Sequence, residues 1–185
     1  MIRPPVRRAV DSSRLKRLVA VALMAATLGA CMSSTGPGKN DPLPVKSRQE
    51  ALDWARQLMA HVAQSAGIQI NGEPEEIGFS PCVGRNGESA PDDRYTLLYF
   101  VHSDVPGIAR HNEVVRSARD LLTQEGLTIT DFREATDEKP FAALGARHPT
   151  SRYYATVDST SDKRMALSVT TPCLMPPSSS PSATG

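Results

Sequence analysis

Apolar residues change their spacing along this chain, from steps of three and four to steps of two and back, and that alternation restricts the folds open to it. Ala51, Leu52, Ala55, Leu58, Met59, Val62 and Ala66 recur at the spacing of one helix face, with Trp54 beside them. Ser47-Arg48-Gln49-Glu50 precedes them as a capping box, in which the Ser47 hydroxyl accepts from the Glu50 amide and the Glu50 carboxylate reaches back. Gly67 ends the helix as a C′ residue. A second helix is expected from about Ile108 to Glu125, opened by Asp104 and Pro106 and closed by Gly126. Val114, Val115, Ala118, Leu121 and Leu122 form its apolar stripe. Trp54 and Met59 read as core rather than as a ligand platform, because they border or lie in a buried stripe.

Strand spacing fills the intervals. Residues 75–82 put Ile77 and Phe79 on one face. Residues 94–102 are aromatic, branched and nearly continuously apolar, which predicts a central strand covered on both faces for part of its length. Further strands are expected at 127–134, 153–158 and 165–171, the last two joined by a hairpin loop at 159–164. Residues 135–150, with Pro140, Gly145 and Pro149, read as irregular, with Phe141 and Leu144 dipping back to the core. The order is α-β-β-α-β-β-β. The economical packing is an α+β two-layer sandwich, an antiparallel sheet of about five strands with both helices on one face, spanning residues 47–175.

The N-terminal thirty residues do not belong to that domain. Residues 1–17 are basic, and residues 18–30 form an uncharged apolar run. Thirteen residues rising ~1.5 Å each cover about 20 Å, short of a ~30 Å hydrocarbon core, so the run reads as a signal h-region. It ends in Leu28-Gly29-Ala30-Cys31, which resembles the lipobox of bacterial lipoproteins: an apolar residue, two small ones and a cysteine. The resemblance implies cleavage before Cys31, a diacylglyceryl group on its thiol, and attachment to the outer side of the cell membrane. Cys31 is thus the expected lipidation site, and the membrane the expected first partner. An ordinary secretory signal with Cys31 incidental is the alternative. Arg7-Arg8 lacks the surroundings of a twin-arginine signal. Residues 31–46, rich in Gly, Pro, Ser and Asn, read as a linker, and residues 176–185 as a disordered tail.

Removing the leader changes the charge. The whole chain is formally +1, but six cations against Asp11 lie in the first thirty residues. The remainder carries 15 basic and 19 acidic residues, which excludes a polybasic nucleic-acid surface. The two cysteines left, Cys82 and Cys173, suggest one disulfide in an exported domain, tying the first strand to the last at one end. No His stands beside either, and they lack the short ligand spacing of a zinc site.

Motifs of known chemistry are missing: no Gly-x-Ser-x-Gly, phosphate-cradling glycine loop, His-Glu-x-x-His or calcium loop occurs, and nothing calls for a cofactor. His102, Asp104 and His111 stand near one strand-to-helix junction and could bind zinc or act as an acid–base pair; the plainer reading is a solvated loop in which Asp104 caps the helix. Tyr95, Tyr99, Tyr153 and Tyr154 lie on expected strands, and some would meet solvent or a partner if helices cover one face only.

The layout as a whole resembles small secreted lipoproteins common in high-GC Gram-positive bacteria. The matching residues are Leu28–Cys31, Cys82 and Thr171-Pro172-Cys173-Leu174. The resemblance implies an α+β envelope domain with paired cysteines. The expectation is a non-enzymatic envelope lipoprotein that contacts a protein or polymer. Its alternative is an extracytoplasmic enzyme using His102, Asp104 and His111.

Overall fold

A computed structural model describes residues 43–178 apart from 73 and 85. Cys31, the apolar run and most of the spacer lie outside the described residues, as does the tail from 179. The elements are α1 (Arg48–Ser65), β1 (Glu76–Pro81), β2 (Tyr95–Asp104), α2 (Ile108–Gln124), β3 (Thr128–Arg133), β4 (Ala143–Arg147), β5 (Tyr154–Ser159) and β6 (Arg164–Thr170). The fold is α+β, an open antiparallel sheet ordered β1-β2-β6-β5-β4-β3.

Both helices form where the spacing places them. The Ser47 amide donates to Glu50 Oε2 at 2.8 Å and the Glu50 amide to Ser47 Oγ at 3.2 Å, the reciprocal capping box. Gly67 and Gly126 follow the two helices with φ of 64° and 84°, backbone that a side chain disfavours. Asp104 does not cap α2. Gly107 occupies that position without a side-chain bond, and Asp104, at the end of β2, is held instead by Asn71.

All inward residues share one face. Across the sheet, Tyr99, Val169, Ala155, Ala146 and Ile129 lie in register, and Val101, Leu167, Val157, Leu144 and Phe132 form the next row. They pack with Met59, Val62, Val114, Ala118 and Leu122 of the helices into one core. α1 rests on β2 and β6, and α2 on β3, β4 and β5. β2 therefore alternates buried and exposed residues rather than being covered on both faces.

The sheet has six strands rather than about five. The addition, β4, falls in the segment read as irregular. Its sequence, Ala-Leu-Gly-Ala-Arg, has no β-branched residue to announce a strand. Small residues are required there: a Cβ on Gly145 would stand 2.2 Å from the Tyr154 hydroxyl.

Cys82 and Cys173 form a disulfide with Cα atoms 5.9 Å apart. β1 and β6 are not neighbours, since β2 runs between them, so the bond straddles β2 at one end of the sheet. Pro44 to Lys46 pair with Met175, through Lys46 N–H to Met175 O at 2.9 Å and Met175 N–H to Pro44 O at 3.0 Å, so the end of the expected linker is stitched to the domain.

Candidate functional site

The junction between β2 and α2 holds the three residues with the clearest chemical potential, and the fold separates them. Ser103 points into the core, where its hydroxyl donates to Gln69 O at 2.7 Å. Its neighbours His102 and Asp104 therefore lie on the opposite, helix-free face. His111 points into the core and is fully buried. Its Nε2 lies 2.6 Å from Val105 O and its Nδ1 2.9 Å from Ser159 Oγ. The Val105 carbonyl can only accept, so Nε2 carries a hydrogen. Ser159 Oγ accepts from the Ala142 amide at 3.1 Å and can donate its own hydrogen to Nδ1. The imidazole is a closed link from α2 to the segment between β2 and α2, through Val105, and to β5, through Ser159. Among the described residues no group of His, Cys, Asp and Glu could hold a metal ion.

The four tyrosines also divide. Tyr95 and Tyr99 lie under the helices, 1% and 2% exposed, so they are not among the rings that meet solvent. Tyr95 donates to Lys46 O at 2.7 Å and Tyr99 to Glu75 Oε1 at 2.7 Å. Glu75 also takes the Arg56 guanidinium at 2.6 Å, and these two partners, Arg56 first, hold its carboxyl below the usual range. Desolvation, and then the hydrogen bond to Glu75, pushes the Tyr99 hydroxyl far up. Tyr153 packs edge-on to Trp54 at 4.9 Å and stacks on His148 at 5.2 Å. Trp54 and Tyr153, with Pro44 and Leu174, line a cleft of about 180 Å³ beside the stitched termini. Only Tyr154 fronts the helix-free face.

That face is built in rows by the strand register. Gly78, Leu98, Thr170, Tyr154 and Arg147 form one row; Glu76, Phe100, Ser168, Thr156 and Gly145 the next; His102, Ala166, Asp158, Ala143 and Arg133 the third. Small residues make the middle, and larger ones close over them, so Ser168, Ala166 and Ala143 are buried without any helix above. Leu98 is 47% exposed. The Phe100 ring stands edge-on to His102 at 4.8 Å, and Arg147 lies 5.4 Å over the Tyr154 ring. Compared with known proteins, the chain matches no family model, no curated protein and no solved structure.

Asp158 is the chemically distinctive group on it. Desolvation raises its carboxyl above the usual range; the Thr156 hydrogen bond opposes this, and the nearby charge of Asp131 adds to it. A half-buried carboxylate, two hydroxyls that bond each other at 3.0 Å (Thr156 and Ser168), one exposed leucine and two aromatic rings stand together on this face. The sequence places Asp158 at the end of the strand expected at 153–158, and alternation sets it on the face opposite Val157 without saying which face the helices cover.

Proposed function

We propose that this chain is a lipid-anchored extracytoplasmic binding module. In this reading Cys31 carries the lipid, the following residues act as a short spacer, and the helix-free sheet face contacts an envelope protein or polymer. The observation that carries it is the face itself: both helices lie on the other side, and Leu98, Phe100, Tyr154 and Asp158 are left facing outward. Solitary exposed apolar residues are ordinary, but an apolar and aromatic set beside a desolvated carboxylate favours a contact surface. The Cys82–Cys173 bond supports an oxidising compartment and hence export. The placement among envelope lipoproteins of high-GC Gram-positive bacteria rests on the Leu28–Cys31 and Pro172-Cys173 layout. An enzyme centred on His102, Asp104 and His111 draws no support from the geometry, because His111 is closed inside the core.

The test places a photoreactive residue at Leu98 or Thr170 on the bare face, and at Gln57 or Asp120 on the outer side of the helices, in the full chain within its native envelope. Adducts from the first pair and not the second are expected. Equal labelling from both pairs, or none from the bare face, overturns the binding surface. Cys31→Ser should move the chain from the membrane to the soluble fraction; retention in the membrane overturns the anchor.

A further inference from the structure

The two edges of the sheet are not equivalent. β3 is broken by a register shift between Ile129 and Asp131, carries Asp131 and Arg133, and is flanked by the Arg116–Glu134 pair at 2.8 Å. Bulges and charges of this kind stop an edge from pairing with another strand. β1 has six residues in unbroken register with β2 and ends in Pro81. Among the described residues nothing pairs with its outer edge. It also lies beyond the strands on which the helices rest. Its inward-facing Ile77 is 41% exposed in consequence, while Phe79 is tucked against Tyr95 at 5.6 Å with Arg48 5.5 Å over its ring.

The hydrogen-bond phase of the edge follows from one contact. The Cys82 amide donates to Arg94 O at 3.2 Å, so even-numbered residues of β1 turn their amides toward β2. Odd-numbered residues, Ile77 and Phe79, turn theirs outward. Pro81, which has no amide hydrogen, stands in the outward phase, where proline is tolerated.

We propose that β1 pairs with β1 of a second copy of this chain, antiparallel and centred on Gly78. This register places Ile77 opposite the partner's Phe79, twice, with their outward amides and carbonyls exchanged. On the other face it sets Glu76 opposite the partner's Ser80, so no like charges meet. Centring on Phe79 would instead set Pro81, which has no amide hydrogen, opposite Ile77, leaving each Ile77 carbonyl without its donor inside the strand. Two-fold symmetry puts both helix layers on the same side, with the two Ile77 side chains filling the gap between the two α1 helices. The seam is shorter than the ~1,200 Å² at which stable interfaces begin, so free copies associate weakly. Anchoring both copies to one membrane, which rests on the reading above, raises their effective concentration.

Gly78 gives the test, since opposed residues in such a non-hydrogen-bonded pair have Cα atoms ~4.5 Å apart. A Cβ there meets only Leu98, at 3.8 Å, so cysteine fits the fold. Gly78→Cys in the full chain, exported and oxidised in its own membranes, should give mostly disulfide-linked dimer, and Ser80→Cys alone at least tenfold less. Glu76→Cys and Ser80→Cys chains expressed together should link to each other. Adding Ile77→Lys to Gly78→Cys should reduce the dimer at least fivefold. Absence of the Gly78→Cys dimer, or equal linking through Ser80→Cys alone, overturns the pairing. Fractionating the same cells reports the anchor separately: a chain found soluble yet linked overturns the anchor and leaves the pairing standing.

Discussion

Replacing His111 by Phe puts a slightly larger ring in the same buried site and removes both of its hydrogen bonds. The Val105 carbonyl, 2.6 Å from Nε2, and the Ser159 hydroxyl, 2.9 Å from Nδ1, would then face a hydrocarbon edge. An orphaned buried polar group costs ~1–3 kcal/mol; the Val105 carbonyl loses its imidazole donor while the Ser159 hydroxyl keeps the Ala142 amide, so the loss should be about 2–4 kcal/mol. His111→Ala adds a cavity and should cost ~3–5 kcal/mol, a large fraction of an ordinary domain's 5–15 kcal/mol. Urea unfolding followed by fluorescence of Trp54, the single tryptophan, measures both, because Trp54 packs on Tyr153 at 4.9 Å and loses that contact on unfolding. Ser159→Ala alone should cost ~1–2 kcal/mol, and the double variant with His111→Phe should cost less than the sum by ~1–2 kcal/mol, since each substitution orphans the other's partner. A His111→Phe protein within ~0.5 kcal/mol of the parent, or a strictly additive cycle, would refute the closed link and reopen His111 as a group available for chemistry.

Cys82→Ser with Cys173→Ser opens a 91-residue loop and should cost ~4–5 kcal/mol in the chain-entropy model, measured as a lower urea midpoint than that of the oxidised parent. Gly145→Ala must displace the Tyr154 ring from the bare face and should cost ~1–3 kcal/mol; in a Tyr154→Ala background most of that cost should vanish, and its persistence would show the crowding to be elsewhere. Asp158 binds its proton more tightly folded than unfolded, so its charge destabilises the domain above the raised folded value, and that penalty disappears as pH falls through the ordinary aspartate range. Asp158→Asn should therefore raise the thermal midpoint at neutral pH, with the gain shrinking toward pH 3; a lower midpoint at neutral pH would mean that the carboxylate is held by bonds stronger than its desolvation.

Sequence reasoning reached both helices, the Ser47–Glu50 box, the closing Gly67 and Gly126, five strands and the disulfide because each is written in short-range chemistry: stripes at three and four, alternation, and two cysteines left to pair. The Asp104 cap expected for α2 failed because Asn71 holds that carboxylate. β4 escaped because its residues are selected by what lies over them. Gly145 yields space to Tyr154, so the strand shows neither branching nor alternation. His111 escaped for the opposite reason, since its chemistry drew attention from its position. It stands three and four residues before Val114 and Val115, in phase with the apolar stripe of α2, and that phase alone pointed inward. Which of the four tyrosines front the open face stayed undecided because alternation groups residues on one face without saying which face the helices cover. Exposure of the other face follows only from strand order, and strand order depends on β6 inserting between β2 and β5, a long-range pairing without a local signal.

β1 shows how the stabilising contacts bear on the proposed interface. The helices rest mainly on its neighbours, so Phe79 packs against the core while Ile77 stays exposed. The strand is fixed at both ends: Glu75, just before it, is held by Arg56 and Tyr99, and Cys82, just after it, is bonded to Cys173. An edge strand held only by one ladder would fray, and a fraying edge pairs without choosing a register. Clamping its two ends keeps the register with β2 and leaves Ile77 and Phe79 presenting their backbone outward. The same disulfide that points to an oxidising compartment would then also keep β1 competent to pair. Reduction of the Cys82–Cys173 bond should weaken dimer formation under conditions where the domain remains folded, detected as loss of cross-linking by an amine-reactive reagent across the proposed pair; unchanged cross-linking after complete reduction would separate the disulfide from the interface.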